Sequence, residues 1–252
     1  MIKTKGIFDT IELSEMNQVA LMNRTDTKYW FHLSALPRLL QVIQNDYLIL
    51  EINGMQQFPY TTTYYDTKDN SMYTAHHNGK LNRFKVRKRC YLASGLCFLE
   101  IKFKNNKGRT IKRRIVSDSP VSSLSKMEMA FVTKHTPFKG EALSPTLVNE
   151  FTRLTLVNKN FKERCTIDFN LQFQINQQSK KLSNVAIVEI KSDGKKTNSS
   201  LAKALQANRI STSGFSKYCI GRVFTDDTIK QNRFKAKKRK IEQLSKMMPL
   251  NV

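Results

Sequence analysis

Apolar and polar positions alternate with period two through most of the chain, the mark of half-buried strands. The run Arg83-Phe84-Lys85-Val86-Arg87-Lys88-Arg89 is the clearest case. As a strand it sets Arg83, Lys85, Arg87 and Arg89 on one face, about 7 Å between neighbours. Phe84, Val86 and Cys90 take the other face, with Lys88 the exception. Similar patterns predict strands at residues 26–33, 47–52, 57–66, 81–91, 96–104, 109–116, 146–156, 164–174 and 185–191. Asn53-Gly54, between two of them, is a hairpin signal. Connections at 93–95 and 105–108 are short enough for an antiparallel meander. Helical spacing predicts helices at 10–23, 35–44 (behind Ser34, with Pro37 in the first turn), 122–135, 200–208 and 216–223. A helical turn at 71–77 ends at Asn78-Gly79. With no repeat or linker, one domain over 1–229 is built on a large antiparallel sheet. A Lys/Arg-rich, helical tail at 230–252 follows it.

Charge narrows the partner. Among 252 residues, 43 Lys and Arg against 20 Asp and Glu give a formal charge of +23. That excess calls for a polyanion: nucleic acid, an acidic membrane surface, or a phosphate-rich molecule or polymer. Cys90, Cys97, Cys165 and Cys219 form no CxxC pair and have no ligand-spaced His, which argues against zinc. They read as buried reduced thiols, with a Cys90–Cys97 bridge across a hairpin as the lesser alternative. The first nine residues lack a signal-peptide core, and no apolar run reaches the ~18 residues of a membrane span. The chain therefore reads as soluble and cytoplasmic.

The cations gather on one set of strand faces. Asp26 and Lys28 lie on one strand, Glu100, Lys102 and Lys104 on another, then Lys112 and Arg114, Arg153, Arg164 and Asp168, Glu189 and Lys191. The alternate faces are apolar: Leu99, Ile101 and Phe103, Ile167 and Phe169, Val188 and Ile190. A wet outer face is the plain explanation, but such a face usually interleaves signs. If the sheet closes instead, the cations meet across a lumen. Each like-charge pair at ~4 Å then costs roughly 4 kcal/mol at an effective dielectric near 20. Such a lumen needs an anion, and triphosphate chains suit it. The few carboxylates, Glu100 and Glu189, are then available to a divalent cation.

These residues also carry a family resemblance. R-x-D-x-K-Y (Arg24 to Tyr29), Y-Y-D-T (Tyr64 to Thr67), H-x-G-K-x-x-R-x-K-V-R (His77 to Arg87) and L-E-I-K (Leu99 to Lys102) come first. K-R-R (Lys112 to Arg114), F-T-R (Phe151 to Arg153), R-x-T-I-D (Arg164 to Asp168), V-E-I-K (Val188 to Lys191) and F-S-K-Y (Phe215 to Tyr218) follow in order. The series, over roughly residues 20–223, resembles the VTC domain, the polyphosphate-polymerase branch of the triphosphate tunnel (CYTH-like) metalloenzymes.

The resemblance implies an α+β fold whose antiparallel β-barrel forms a tunnel with flanking helices. It implies a polymerase that moves the γ-phosphate of ATP onto a growing inorganic polyphosphate chain, with Mn²⁺ or Mg²⁺. Lys28, Lys85, Arg87, Lys102, Lys112, Arg114, Arg153, Arg164 and Lys217 would clasp phosphates. Arg83, Arg89 and Lys191 would extend substrate binding, and Glu189, with Glu100 second, would hold the metal. No specific nucleic acid is expected. A triphosphatase and a noncatalytic polyphosphate or nucleic-acid binder are the alternatives. The chain departs from the pattern twice. Related triphosphatases carry E-x-E-x-K where this chain has Arg24-x-Asp26-x-Lys28, which favours the polymerase. The family often has Tyr where this chain has Phe151.

Other residues have two readings. His76 and His77 read as packing residues rather than ligands, and Trp30 as core rather than an adenine platform. Asp66 either bonds a tunnel arginine or forms an Asx turn with Thr67. Gly194-Lys195-Lys196-Thr197 lacks the first glycine of a P-loop. The tail reads as a helix near the barrel mouth or as a collector of polyanions.

Overall fold

The computed structural model describes residues 2–19, 24–118, 123–193 and 199–246; 194–197 fall outside them. Among the described residues eleven strands form one sheet. They are β1 (Asp9–Ile11), β2 (Arg24–His32), β3 (Tyr47–Leu50), β4 (Phe58–Thr67), β5 (Arg83–Tyr91) and β6 (Leu96–Lys104). Then come β7 (Thr110–Ser117), β8 (Leu143–Asn158), β9 (Glu163–Ile175), β10 (Gln178–Leu182) and β11 (Val185–Asp193). The helices are α1 (Leu36–Ile43), α2 (Ser71–His77), α3 (Lys126–His135), α4 (Ser200–Ala207), α5 (Lys217–Thr225) and α6 (Lys235–Lys246). The main path runs β2–β11–β9–β8–β4–β5–β6–β7, with β10 on β9 and β3 on β8. All pairs on that path are antiparallel, and β5–β6–β7 is the expected meander.

The sheet curls strongly. Ser216 and Lys217 are consecutive, yet Ser216 accepts a hydrogen bond from Lys85 on β5 while Lys217 bonds Asp168 on β9. A flat sheet would hold those strands about 14 Å apart, against ~3.8 Å between consecutive Cα atoms. Lys28 on β2 and Lys85 on β5 also feel each other's charge, although five strand spacings of a flat sheet make roughly 24 Å. The expected closed barrel is corrected, however. β2 and β7, the two ends of the path, do not pair among the described residues. β7 is largely exposed along its length, and side chains and helices, rather than a ladder, span the concave side.

The two faces pack differently. Outside, α1 and α4 cover Tyr29, Phe31, Leu154, Leu156, Ile167, Phe169, Val188 and Ile190. Farther along the sheet, Val132 of α3 packs with Tyr65, Val86, Leu99 and Ile101. Lys88, the polar exception on that apolar face, is buried under α3 and pairs with Glu128 at 3.0 Å. Inside, Tyr218, Cys219, Ile220 and Val223 of α5 pack on Tyr64, Leu147, Phe151, Leu171, Phe173 and Ile187. One part of the concave face is thereby filled and the remainder left polar.

A bulge in β9 lets one strand serve both parts. The β8–β9 register shifts between Glu150 and Thr152, where Asn170 has φ +52°. The shift changes phase: Arg164, Thr166 and Asp168 face inward before it, Leu171 and Phe173 after it.

Several expectations change. Where a helix is expected over 10–23, residues 10–19 give the end of β1 and a short 3-10 turn (Glu15–Gln18), residues 20–23 lying outside the described ones, and β1 pairs in parallel with β3. The Asn53-Gly54 turn forms, with φ +50° and +72°, but joins only an isolated Ile52–Met55 bridge. β3 pairs with β8 rather than β4. β10 has no apolar alternation and was not foreseen. Cys90 and Cys97 face each other in the β5–β6 register and form a disulfide; Cys165 and Cys219 are free and buried. The basic tail docks, since Phe234 and Ile241 are buried in the core shared with Trp30 and α5. No described helix is long and apolar enough to cross a membrane.

Gly221 lets α5 approach the sheet. A Cβ there would lie 2.5 Å from both Leu147 Cδ2 and Phe173 Cδ1. Gly221→Ala should destabilise the fold by about 1–3 kcal/mol, measured as a lower denaturant midpoint at unchanged slope.

Candidate functional site

The polar part of the concave face is built from strand register. Lys85 of β5 lies opposite Lys102 of β6, which lies opposite Lys112 of β7, so three lysines form a row across three strands. The next row is Arg87, Glu100 and Arg114. Beyond it Arg89 stands opposite Phe98, whose ring carries the Arg114 guanidinium at 4.6 Å. On the facing wall Lys28 pairs with Glu189 across β2–β11, Arg153 with Asp168 across β8–β9, and Arg164 lies opposite Lys191 across β9–β11. The walls are close enough that Glu189 acts on Lys102.

Three carboxylates hold this surface together. Glu100, with no side-chain exposure, receives Arg87 Nε and Nη2 at 2.7 and 2.6 Å on one oxygen and Lys112 on the other. Asp168 takes Arg153 Nε and Nη2 at 2.6 and 2.8 Å and also binds Lys217. Glu189 accepts Lys28 at 2.5 Å and Lys191 at 3.5 Å. Burial opposes the charge of each. The paired cations outweigh it and hold all three well below the usual carboxylate range.

The cations outnumber these partners, and their pKa values reflect it. Lys102 is pushed down to about 5, by the charge of Arg87 first, then burial and Arg89. Lys85 falls to about 8 through burial and then Arg87, Arg83 and Lys28. Lys191 and Lys217 also fall to about 8, through burial and the nearby arginines, against the pull of Glu189 and Asp168. Arg89 is lowered to about 10 by burial, Arg87 and Arg153. A surface that expels protons from its own lysines is arranged for anions that the protein does not supply.

The structure thus brings together Lys28, Lys85, Arg87, Arg89, Lys102, Lys112, Arg114, Arg153, Arg164, Lys191 and Lys217 on one concave face. Arg83 lies at the start of β5, where it donates to the Lys80 carbonyl. Phe151 stacks on Tyr60 at 5.2 Å, and both rings lie under the Arg153 guanidinium. Sequence reasoning passed over Tyr60, Ser216 and the clamping role of Asp168. R-x-T-I-D and F-S-K-Y contained Asp168 and Ser216, but their partners are set by the curl.

Other candidates resolve. Asp66 binds no arginine among the described residues: it accepts the backbone N–H of Thr67, Met72 and Tyr73 and the Tyr218 hydroxyl, anchoring α2 to α5. Trp30 is buried against Phe215, with Lys240 over its ring at 4.8 Å. His77 packs edge-on against Phe234 and accepts the Arg233 N–H. For a divalent cation the described residues offer no cluster of three His, Cys, Asp or Glu. Glu189 is the carboxylate that fits one, being part-exposed and held by flexible lysines. A cation there must bring most of its oxygen ligands with a phosphate chain, the usual habit of Mg²⁺.

The family model for the VTC domain matches residues 23–225. No curated protein matches the chain. Among solved structures, the chain is similar to a candidate adenylyl cyclase from Hippeastrum, described as having a dominant triphosphatase activity. That match has 15% identity and a TM-score of 0.48, covering 79% of this chain and 96% of that one. It is also similar to a candidate adenylate cyclase from Vibrio parahaemolyticus, at 10% identity and a TM-score of 0.46, covering 78% and 95%.

The depressed lysines make proton exchange a test of the site. A bound polyanion favours the ammonium form and raises these pKa values. Near pH 8, where Lys85, Lys191 and Lys217 are only partly charged, binding must take up protons and so must weaken as pH rises. Calorimetric titration of tripolyphosphate in two buffers of different ionisation enthalpy should show net uptake. Zero uptake or net release would contradict the assignment.

Proposed function

The chain belongs to the VTC-domain family, and on that footing we propose that it is a metal-dependent polyphosphate polymerase. In this reading ATP and a polyphosphate chain lie end to end on the cationic face. A terminal oxygen of the chain attacks the γ-phosphorus; that P–O bond forms as the bond to the β,γ-bridging oxygen breaks, and ADP leaves. The observation that carries the reading is the Lys85–Lys102–Lys112 row, three aligned cations on adjacent strands. A repeating anion matches a repeating row, and its negative charge favours the ammonium form that Lys102 lacks and that Lys85 holds less firmly than usual.

Phosphoryl transfer passes through a loose transition state, so the protein's task is in-line alignment and stabilisation of charge on equatorial oxygens. Lys85, Arg87, Lys102, Lys112 and Arg114 supply one wall; Lys28, Arg153, Arg164, Lys191 and Lys217 supply the other. Arg87 and Arg153, locked by Glu100 and Asp168, present pre-oriented guanidinium groups. Lys217 enters from the first turn of α5 and needs no strand to carry it. Glu189 would hold Mn²⁺ or Mg²⁺, which when bound neutralises charge on phosphate oxygens. Glu100 serves as the counter-ion of Arg87 and Lys112. Arg24 in place of the first carboxylate of E-x-E-x-K, leaving Asp26 alone before Lys28, supports chain synthesis over hydrolysis. ATP as donor would fit a cytoplasmic protein, although a Cys90–Cys97 bridge is more usual in oxidising compartments.

Purified protein given ATP and Mn²⁺ should yield long chains on a gel. ATP left intact, or converted only to ADP and free phosphate, would overturn the polymerase; free phosphate from tripolyphosphate without chain growth identifies a triphosphatase. Lys85→Ala should lower the rate by about 10²–10³ at unchanged thermal stability, while Arg83→Ala, at the edge, should cost far less. Equal losses would move the centre of the site. Arg87→Ala should also lower stability, because it leaves Glu100 buried without its main partner.

A further inference from the structure

Beside the concave face α6 packs against α5, β2 and β11. The helix buries Ile241, and Phe234 just before it, two turns apart. Arg233, Lys237 and Lys240, spaced four and then three residues apart, share one flank beside that buried stripe, spanning about 10 Å. Each is located by a contact. Arg233 Nη1 would lie 2.5 Å from a Cβ built on Gly79, at the end of α2. Lys237 donates to the Gly214 carbonyl at 2.5 Å, next to the loop in which Ser213 N–H bonds the Lys28 carbonyl. Lys240 covers Trp30 of β2. The flank therefore runs from the turn between α2 and β5 to β2.

His76 marks the middle of this rim. Burial, then the charges of Lys85, Arg83, Lys237 and Lys104, push it down to about 3. Its Nδ1 is buried with no hydrogen-bond partner among the described residues. Lys85 belongs to the inner row, Arg83 and Lys104 stand opposite each other at the ends of β5 and β6, and Lys237 belongs to α6, so cations of the cavity, the strand ends and the helix all act on this one side chain.

We propose that this rim (Arg83, Lys104 and Lys237 around His76, with Arg233 and Lys240 on the same flank as Lys237) is a second phosphate-binding site, which grips the part of a polyphosphate chain that extends beyond the cavity. The site rests on the proposed function for its ligand, and it explains why α6 carries its cations on a docked, ordered surface. A chain held at both the row and the rim gains from tethering, since the second contact is made at high effective concentration. A ligand as short as tripolyphosphate is held at the row alone.

The test compares two ligands on the full chain. In the variant Lys104→Gln, Arg233→Gln, Lys237→Gln, affinity for long-chain polyphosphate should fall at least tenfold. The slope of log K against log salt should shrink by about two, near 0.7 for each cation removed. Tripolyphosphate affinity and the melting temperature should not change. Unchanged long-chain binding, or an equal loss for both ligands, would overturn the rim. So would loss of single-stranded RNA binding with polyphosphate binding kept. Wild-type protein that binds neither phosphate ligand would instead overturn the functional reading beneath it.

Discussion

The structure depends on keeping many like charges together on one concave surface. Lys85, Lys102 and Lys112 stand in a row, and the opposite wall is cationic as well. Three carboxylates, Glu100, Asp168 and Glu189, each pin two cations and keep the surface from flying apart. They do not neutralise it, and the deficit is met by proton loss from lysines whose charge is least supported. Such an arrangement costs stability in the free protein and returns it when an anion binds. A solvated outer face would have no reason to carry that strain.

The fold spends its apolar surface to position that face. α5 enters the concave side and buries Tyr218, Cys219 and Val223 against strands that elsewhere carry charge. The β9 bulge at Asn170 makes this feasible by turning Leu171 and Phe173 inward after Arg164, Thr166 and Asp168. Asp66 ties α5 to α2 through the Tyr218 hydroxyl. The first turn of α5 is then fixed between β5 and β9, where Ser216 meets Lys85 and Lys217 meets Asp168. The proposed phosphate contacts thus come from a helix terminus as well as from strands, and the open seam between β2 and β7 does not leave the site unsupported.

Much of this was legible along the chain because alternation reports which side of a strand is buried. The β5–β6–β7 meander, the cationic parity of β5 and the Ser71–His77 helix follow from local pattern and short turns. What pattern does not report is the partner. β1 pairs with β3 in parallel, and β3 with β8, across long stretches of chain, so the Asn53-Gly54 turn forms without its hairpin. The bulge at Asn170 inverts the phase that simple alternation assigns to Leu171. The cationic strands suggested a closed lumen, yet closure is a global hydrogen-bonding property and the ladder stops at β7. The tail read either as a helix near the barrel mouth or as a collector of polyanions because Phe234 and Ile241 are sparse among lysines; two apolar residues at helical spacing suffice to dock it.

The central claim is that this face is completed by a linear polyphosphate, and thermal unfolding tests it directly. Tripolyphosphate at ~100 times its dissociation constant should add about 2.7 kcal/mol and raise the melting temperature by roughly 5–10 °C. Chloride at equal ionic strength should do far less. An equal rise with chloride, or none with tripolyphosphate, would contradict the account.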